Sequence, residues 1–170
     1  MDTTQPVPEK STELIDGREA ALSAIDAVIA ATVFELCIFD VHVRALSERG
    51  FGTPGRYESL RALLMASRSH RLRLVLHDTQ GFESKLPRIQ QLLTQFSGQM
   101  SVNRTSGAAR EATDPLVIGD DRHFWHKLHV DHPRSVLTLN DAAGCRPLRE
   151  RFEEIWELSE PAISGTTLGL

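Results

Sequence analysis

Lysine is scarce in this 170-residue chain: of nineteen basic side chains only Lys10, Lys85 and Lys127 are lysines. Positive charge is also in the minority. Against 23 acidic side chains the formal net charge is −4, which argues against a nucleic-acid coat protein and against nucleic acid as a partner. Cysteine is almost missing. Cys37 and Cys145 lack metal-type spacing, and Cys37, inside an apolar run, reads as a small core residue. No apolar run spans a bilayer: the best candidate, residues 27–39, is too short and is broken by Glu35. Residues 1–6 carry neither the basic start nor the apolar stretch of a signal peptide. The expected setting is therefore a reducing cytoplasm, with no membrane span.

At 41% hydrophobic and 25% charged residues, the composition suits one globular domain with a sizeable core. Residues 1–12, polar and carrying Pro6 and Pro8, are expected to form a flexible tail. Residues 13–160 make a single domain, and 161–170 a second flexible tail. Asp16 and Glu19 form a capping-box variant opening a helix that runs to Ala31, with Leu22, Ile25, Val28 and Ile29 on one face. Residues 33–39 read as a strand ending at Asp40. The stretch from Val41 to Arg56 follows, and Gly50, Gly52, Pro54 and Gly55 mark its second half as loop.

A helix at 57–69 and a strand at 71–76, with His77 and Asp78 just past its end, come next. Pro87 opens a helix with the stripe Ile89, Leu92, Leu93 and Phe96, and a short strand covers 100–104. Segments 115–119 and 122–127 flank Asp120-Asp121, predicting two strands joined by a tight turn, or one bent strand. Pro147 opens a last helix bearing Leu148, Phe152, Ile155 and Trp156. This alternation predicts an α/β fold, a mixed or mostly parallel sheet with helices on both faces. Ligands of such sheets sit beyond the carboxyl ends of the strands. Those ends offer Asp40, His42, Arg44, His77, Asp78, Arg104 and Arg110.

The passage 58–68, continuing into Arg71-Leu72-Arg73-Leu74-Val75-Leu76-His77-Asp78, resembles a helix–strand passage of phospholipase D-like (HKD-type) domains. The later elements keep that family's order, and Asp131, Pro133, Arg134 and Ser135 are similar to the turn after its second signature; the resemblance covers residues 24–159. It implies the family's fold. In that family a histidine attacks phosphorus, a lysine two residues on neutralises the phosphoryl oxygens, and an aspartate follows five residues later. With Asp120 at the aspartate position, the lysine position is Pro115 and the histidine position is Thr113. Moving to Asp121 offers Leu116 and Asp114 instead. No histidine–any–lysine triplet exists in the chain, because Pro8, Glu83 and Trp125 stand two before its lysines. The family's Gly-Ser and Asn positions are Lys127, Leu128 and Val130. The chain thus resembles an uncharacterised bacterial group of degenerate domains lacking the catalytic motif. Because relatives bring two motifs together, the resemblance also implies a homodimer or docking to a protein partner.

His123, His126, His129, Asp131 and His132 fall within ten residues. On a strand, His123 and His126 point to opposite faces, so surface or loop histidines are the plainer reading. A metal site on His123, His126 and His129 is the alternative; no cofactor is expected. Asp120-Asp121 suits a turn, and Gly50, Gly52 and Gly55 lack the spacing of a phosphate loop. Arg104, Arg110 and Arg134 are the anion-binding candidates, since guanidinium forks match phosphate; surface ion pairing is their plainer reading. Trp125, Phe152 and Trp156 read as packing.

The leading functional reading is a non-catalytic phospholipase D-like module acting in protein association, with a phosphate-containing ligand as a candidate small partner. The first alternative is a phosphodiesterase or nuclease with displaced chemistry on His77, His126 or His129. The second is a metal-binding protein built on the histidine cluster.

Overall fold

β2 (Glu35–His42) is the strand around which the sheet is organised. Its residues from Leu36 to Asp40 are all buried, as expected for an apolar run covered on both faces. The computed structural model describes residues 6–165, so parts of both expected tails, 1–5 and 166–170, lie outside the described residues. β1 (Ser11–Asp16) leads into α1 (Arg18–Ala31). After β2 come α2 (Val43–Glu48), α3 (Pro54–Met65), β3 (Arg71–Asp78), α4 (Phe82–Lys85), α5 (Pro87–Gln95) and β4 (Met100–Thr105). A 3-10 turn at Gly107–Glu111 precedes β5 (Leu116–Gly119), β6 (His123–Lys127), β7 (Arg134–Leu139), α6 (Ala142–Glu157) and β8 (Ser159–Ile163).

The eight strands form one sheet in the order β1-β7-β6-β5-β2-β3-β4-β8. Only the β2–β3 and β3–β4 pairs are parallel; the others are antiparallel. The sheet is thus mixed, with helices on both faces. On one side Leu36, Ile38, Leu74, Val117 and Trp125 pack beneath α1, α2, α3 and α5. On the other Cys37, Phe39, Val75, Leu116 and Phe124 pack beneath α6, through Cys145, Phe152 and Ile155. Alternation along each strand assigns every side chain to one of these two faces.

Several boundaries depart from the sequence reading for physical reasons. Ser11 and Thr12, expected in the tail, begin β1, which pairs with β7 although only Ile15 of the strand is buried. A strand with one buried residue gives no periodic signal. Asp16 does not cap α1: Gly17 holds the N-cap at φ 86°, with no side-chain cap. The first half of the 41–56 stretch contains α2, capped by the His42 ring, and α3 begins at Pro54, inside the half expected to be loop, with Thr53 as its cap. Pro147 lies inside α6 rather than opening it; the start signal is Asp141, whose carboxylate accepts from Gly144 N at 2.9 Å. Pro161, expected in the second tail, sits in edge strand β8, where a missing N–H is tolerated.

Asp120 and Asp121 form the reverse turn of a β5–β6 hairpin, both left-handed at φ 52° and 56°. Asp120 also ties that turn to β2: its carboxylate accepts from Val33 N (2.6 Å), Phe34 N (2.8 Å) and Glu35 N (3.0 Å). Asp120→Ala removes all three acceptor contacts and places an L-residue without local polar support in the left-handed region, so a loss of about 2–3 kcal/mol is expected. Asp120→Asn keeps one oxygen and tolerates the turn, and is expected to lose less than half of that. Urea midpoints of the two variants at pH 7 check the order.

Candidate functional site

The carboxyl ends of β2 and β6 lie at the same edge of the sheet, because β5 is antiparallel to both. On the α1 face of that edge, Asp40 is 1% exposed and is held by Arg49, whose Nε donates to its carboxylate at 2.7 Å. Burial raises the Asp40 carboxyl, against the pull of Arg49. The Arg49 guanidinium lies over the Trp125 ring, 5.1 Å from its centroid, and Trp125 Nε1 donates to Ser135 Oγ. Two residues along β6, on the same face, stands Lys127. Its ammonium is half-buried and makes no hydrogen bond or ion pair among the described residues. Burial, followed by repulsion from Arg49, pulls it below the ordinary lysine range.

These groups line a cavity of about 280 Å³ between the start of α1 and the ends of β6 and β7, walled by Ala21, Leu22, Ile25, Trp125 and Pro133. Arg18 and Glu48 also line it. Arg44 Nε engages the Glu48 carboxylate at 3.1 Å; Lys127 and the exposed Arg18 make no ion pair among the described residues, although Asp40, Asp131 and Glu48 act on Lys127 at longer range. The cross-strand register sets Lys127 beside Pro115, and Lys127 N donates to Pro115 O at 2.9 Å. Thr113 is exposed just before β5, where its carbonyl accepts from Val130 N.

The histidines separate. His126 leaves β6 on the α6 face, where its Nε2 donates to Asp114 at 2.9 Å, and Arg151 clamps the same carboxylate through two nitrogens. Burial pushes the Asp114 carboxyl up, but these bonds outweigh it and bring it to about 2. His77 is pinned at both ring nitrogens: Nε2 donates to Ala112 O at 2.6 Å, and Nδ1 bonds the Thr105 hydroxyl at 2.7 Å. His123 is buried on the opposite face from His126, accepting from Asn140 N, and burial lowers it toward the neutral form. His129 and His132 are exposed and accept the Asp131 and Arg134 amides. The alternative metal reading on His123, His126 and His129 fails on this geometry, since strand alternation splits the set. Among the described residues no three His, Cys, Asp or Glu side chains gather around a metal position.

The arginine candidates also stay apart. Arg104 on β4 faces Glu160 at 3.6 Å, Arg110 is exposed on the 3-10 turn, and Arg134 is exposed at the start of β7. Five strand spacings separate β4 from β7, about 24 Å, so no single small anion touches both. The sequence reading passed over Arg18 and Arg49, treated Trp125 as packing alone, and met Lys127 as one of three lysines and as a position where the family carries its Gly-Ser pair, not as a binding residue. Arg49 gave no signal, because it stood in what read as loop.

The fold is that of phospholipase D family members. Nuc of Salmonella typhimurium, described as a phospholipase D family member, superposes with a TM-score of 0.64 at 12% identity, covering 92% of this chain and all of that one. NucT of Helicobacter pylori gives 0.56 at 12% identity, over 91% of this chain and all of NucT. TrmBL2, an archaeal chromatin protein described with a novel mode of DNA binding, gives 0.63 at 13% identity, over 94% of this chain and 57% of its own. No curated protein matches the sequence. The chain belongs to the family described as domain of unknown function DUF7931, whose model matches residues 17–165.

The Asp114 bonds make a pH prediction. A carboxyl depressed in the folded state stabilises above its unfolded value, near 3.8, and that contribution is lost as the pH falls through about 2. Asp114→Asn is expected to cost about 2 kcal/mol at pH 7 and to flatten the fall in stability between pH 4 and 2, read from urea midpoints across that range.

Proposed function

We propose that this chain is a phospholipase D-like module that binds a phosphate-bearing anion without the family's covalent phosphoryl transfer, and that it works in the cytoplasm paired with a second copy or a protein partner. One observation carries the reading. The motif lysine position is Pro115, yet Lys127 stands beside it on the neighbouring strand and on the same face. A cation is therefore restored at that row while no imidazole joins it. An ammonium without an internal partner, next to Arg49, attracts an anion; without a nucleophile the bound phosphate has no covalent fate. Both cysteines are buried and free, which supports a reducing setting. No helix among the described residues is long and apolar enough to cross a membrane. Nucleic acid is not the proposed ligand: although the fold also occurs in a DNA-binding chromatin protein, the balance of −4 opposes a polyanion.

The displaced-chemistry reading has one observation in its favour, the His126–Asp114 pair, in which a carboxylate orients an imidazole whose Nδ1 is free of protein bonds. It lies on the face away from Lys127 and Arg49, and the nearest arginine, Arg151, is already committed to Asp114. Titration calorimetry with inorganic phosphate is expected to show binding that Lys127→Ala weakens about tenfold, roughly 1.4 kcal/mol. Bis(p-nitrophenyl) phosphate is expected to show no turnover above buffer. Turnover that His126→Ala abolishes would overturn this reading in favour of the enzyme.

A further inference from the structure

The cavity beside Lys127 is more than a charged patch, because its walls are mostly apolar. α1 presents Gly17, Ala21 and Ile25 at four-residue spacing, with Leu22 alongside, toward Trp125 and Pro133. Gly17 and Ala21 have little or no side chain to fill the space that opposes Trp125, and the Gly17 N–H donating to Pro133 O at 3.3 Å closes the end of the gap. The space of about 280 Å³ equals roughly nine waters at liquid density, far more than a bare phosphate occupies. Its polar atoms stand apart from the apolar wall. Lys127 is unpaired, and neither Arg49 Nη makes a hydrogen bond among the described residues.

We infer that the cavity takes a small organic anion, with its phosphate or carboxylate head at Lys127 and Arg49 and its apolar body against Ala21, Leu22 and Pro133, above the buried Ile25 and Trp125. This rests on the anion-binding reading above and narrows it to a ligand class: a compact aryl or branched-alkyl acid, rather than free phosphate or a polymer backbone. The charge accounting supports the orientation. Glu48 at the mouth pairs with Arg44 and Asp40 beneath it with Arg49; Asp131 acts on Lys127 only at a distance, so the donors that face the cavity are the Lys127 ammonium and the Arg49 Nη groups. The body gains from leaving water against apolar walls, and the head gains from donors with no competing internal acceptor.

Phenyl phosphate and inorganic phosphate, titrated into the full chain, separate the two claims. Phenyl phosphate is expected to bind at least tenfold tighter than phosphate, and its ring protons to show NOEs to the Ala21 and Leu22 methyls. Ala21→Leu fills the cavity from an α1 position and keeps a good helix former; it is expected to bring the ratio of the two affinities near one. Equal affinities for the two anions in the unaltered chain would overturn the ligand class and leave the anion site standing. So would a tenfold ratio that survives in Ala21→Leu, or ring NOEs to other residues. Absence of binding by either anion would remove the anion reading itself.

Discussion

The β5–β6 hairpin is the constraint on which the site depends. Two left-handed aspartates close it, and the Asp120 carboxylate anchors it to three consecutive amides at the entry to β2. That anchor fixes β5 against β2, and the turn fixes β6 against β5, so the register opposite Pro115 follows from it. A one-residue slip would send Lys127 to the α6 face and His126 to the cavity, exchanging the chemistry of the two sides. Burial of Trp125 on one face and Phe124 on the other opposes such a slip.

Charge is distributed unequally between the two faces. Around α6 three arginines are paired with carboxylates. Arg73 lies between the Phe152 and Trp156 rings, 5.1 and 5.2 Å from their centroids, and engages Glu153 and Glu35. Arg149 bridges Glu35, Asp121 and Glu153, and Arg151 is spent on Asp114. Cys37 sits beneath this network, where burial and the neighbouring Glu35 hold the thiol protonated. The network holds α6 to the sheet and engages Arg73, Arg149 and Arg151 with carboxylates. On the α1 face Arg49 pairs with Asp40 and Arg56 with Asp26, while Lys127 and Arg18 have no ion pair among the described residues. In a chain with three lysines, the one that is half-buried without an internal partner is the exception that marks the site.

The central strands were legible because their apolar runs and alternation carry burial directly: β2, β3, β4 and the hairpin appear where residues 33–39, 71–76, 100–104 and 115–127 indicated, with β2 shifted onward to His42 and β3 extended through His77 and Asp78. The edge strands were not. β1 buries one residue and β8 contains a proline, so neither shows a pattern; both exist because a neighbour offers unpaired backbone groups. The sequence contains no histidine–any–lysine triplet. The partner of Pro115 was not legible, because cross-strand neighbours twelve residues apart are set by hairpin register. Arg104, Arg110 and Arg134 shared an end of the sheet, as their positions suggested, but the strand order that separates them has no local trace in the sequence.

The most direct measurement is a crystal structure of the full chain soaked in tungstate, a heavy tetrahedral stand-in for phosphate located by its anomalous signal. Tungstate density within hydrogen-bond distance of Lys127 Nζ, on the α1 face and within reach of Arg49, is the expected result. Density at His126 and Asp114 instead, or an empty cavity with tungstate bound only elsewhere, would contradict a site built on the lysine that stands beside Pro115.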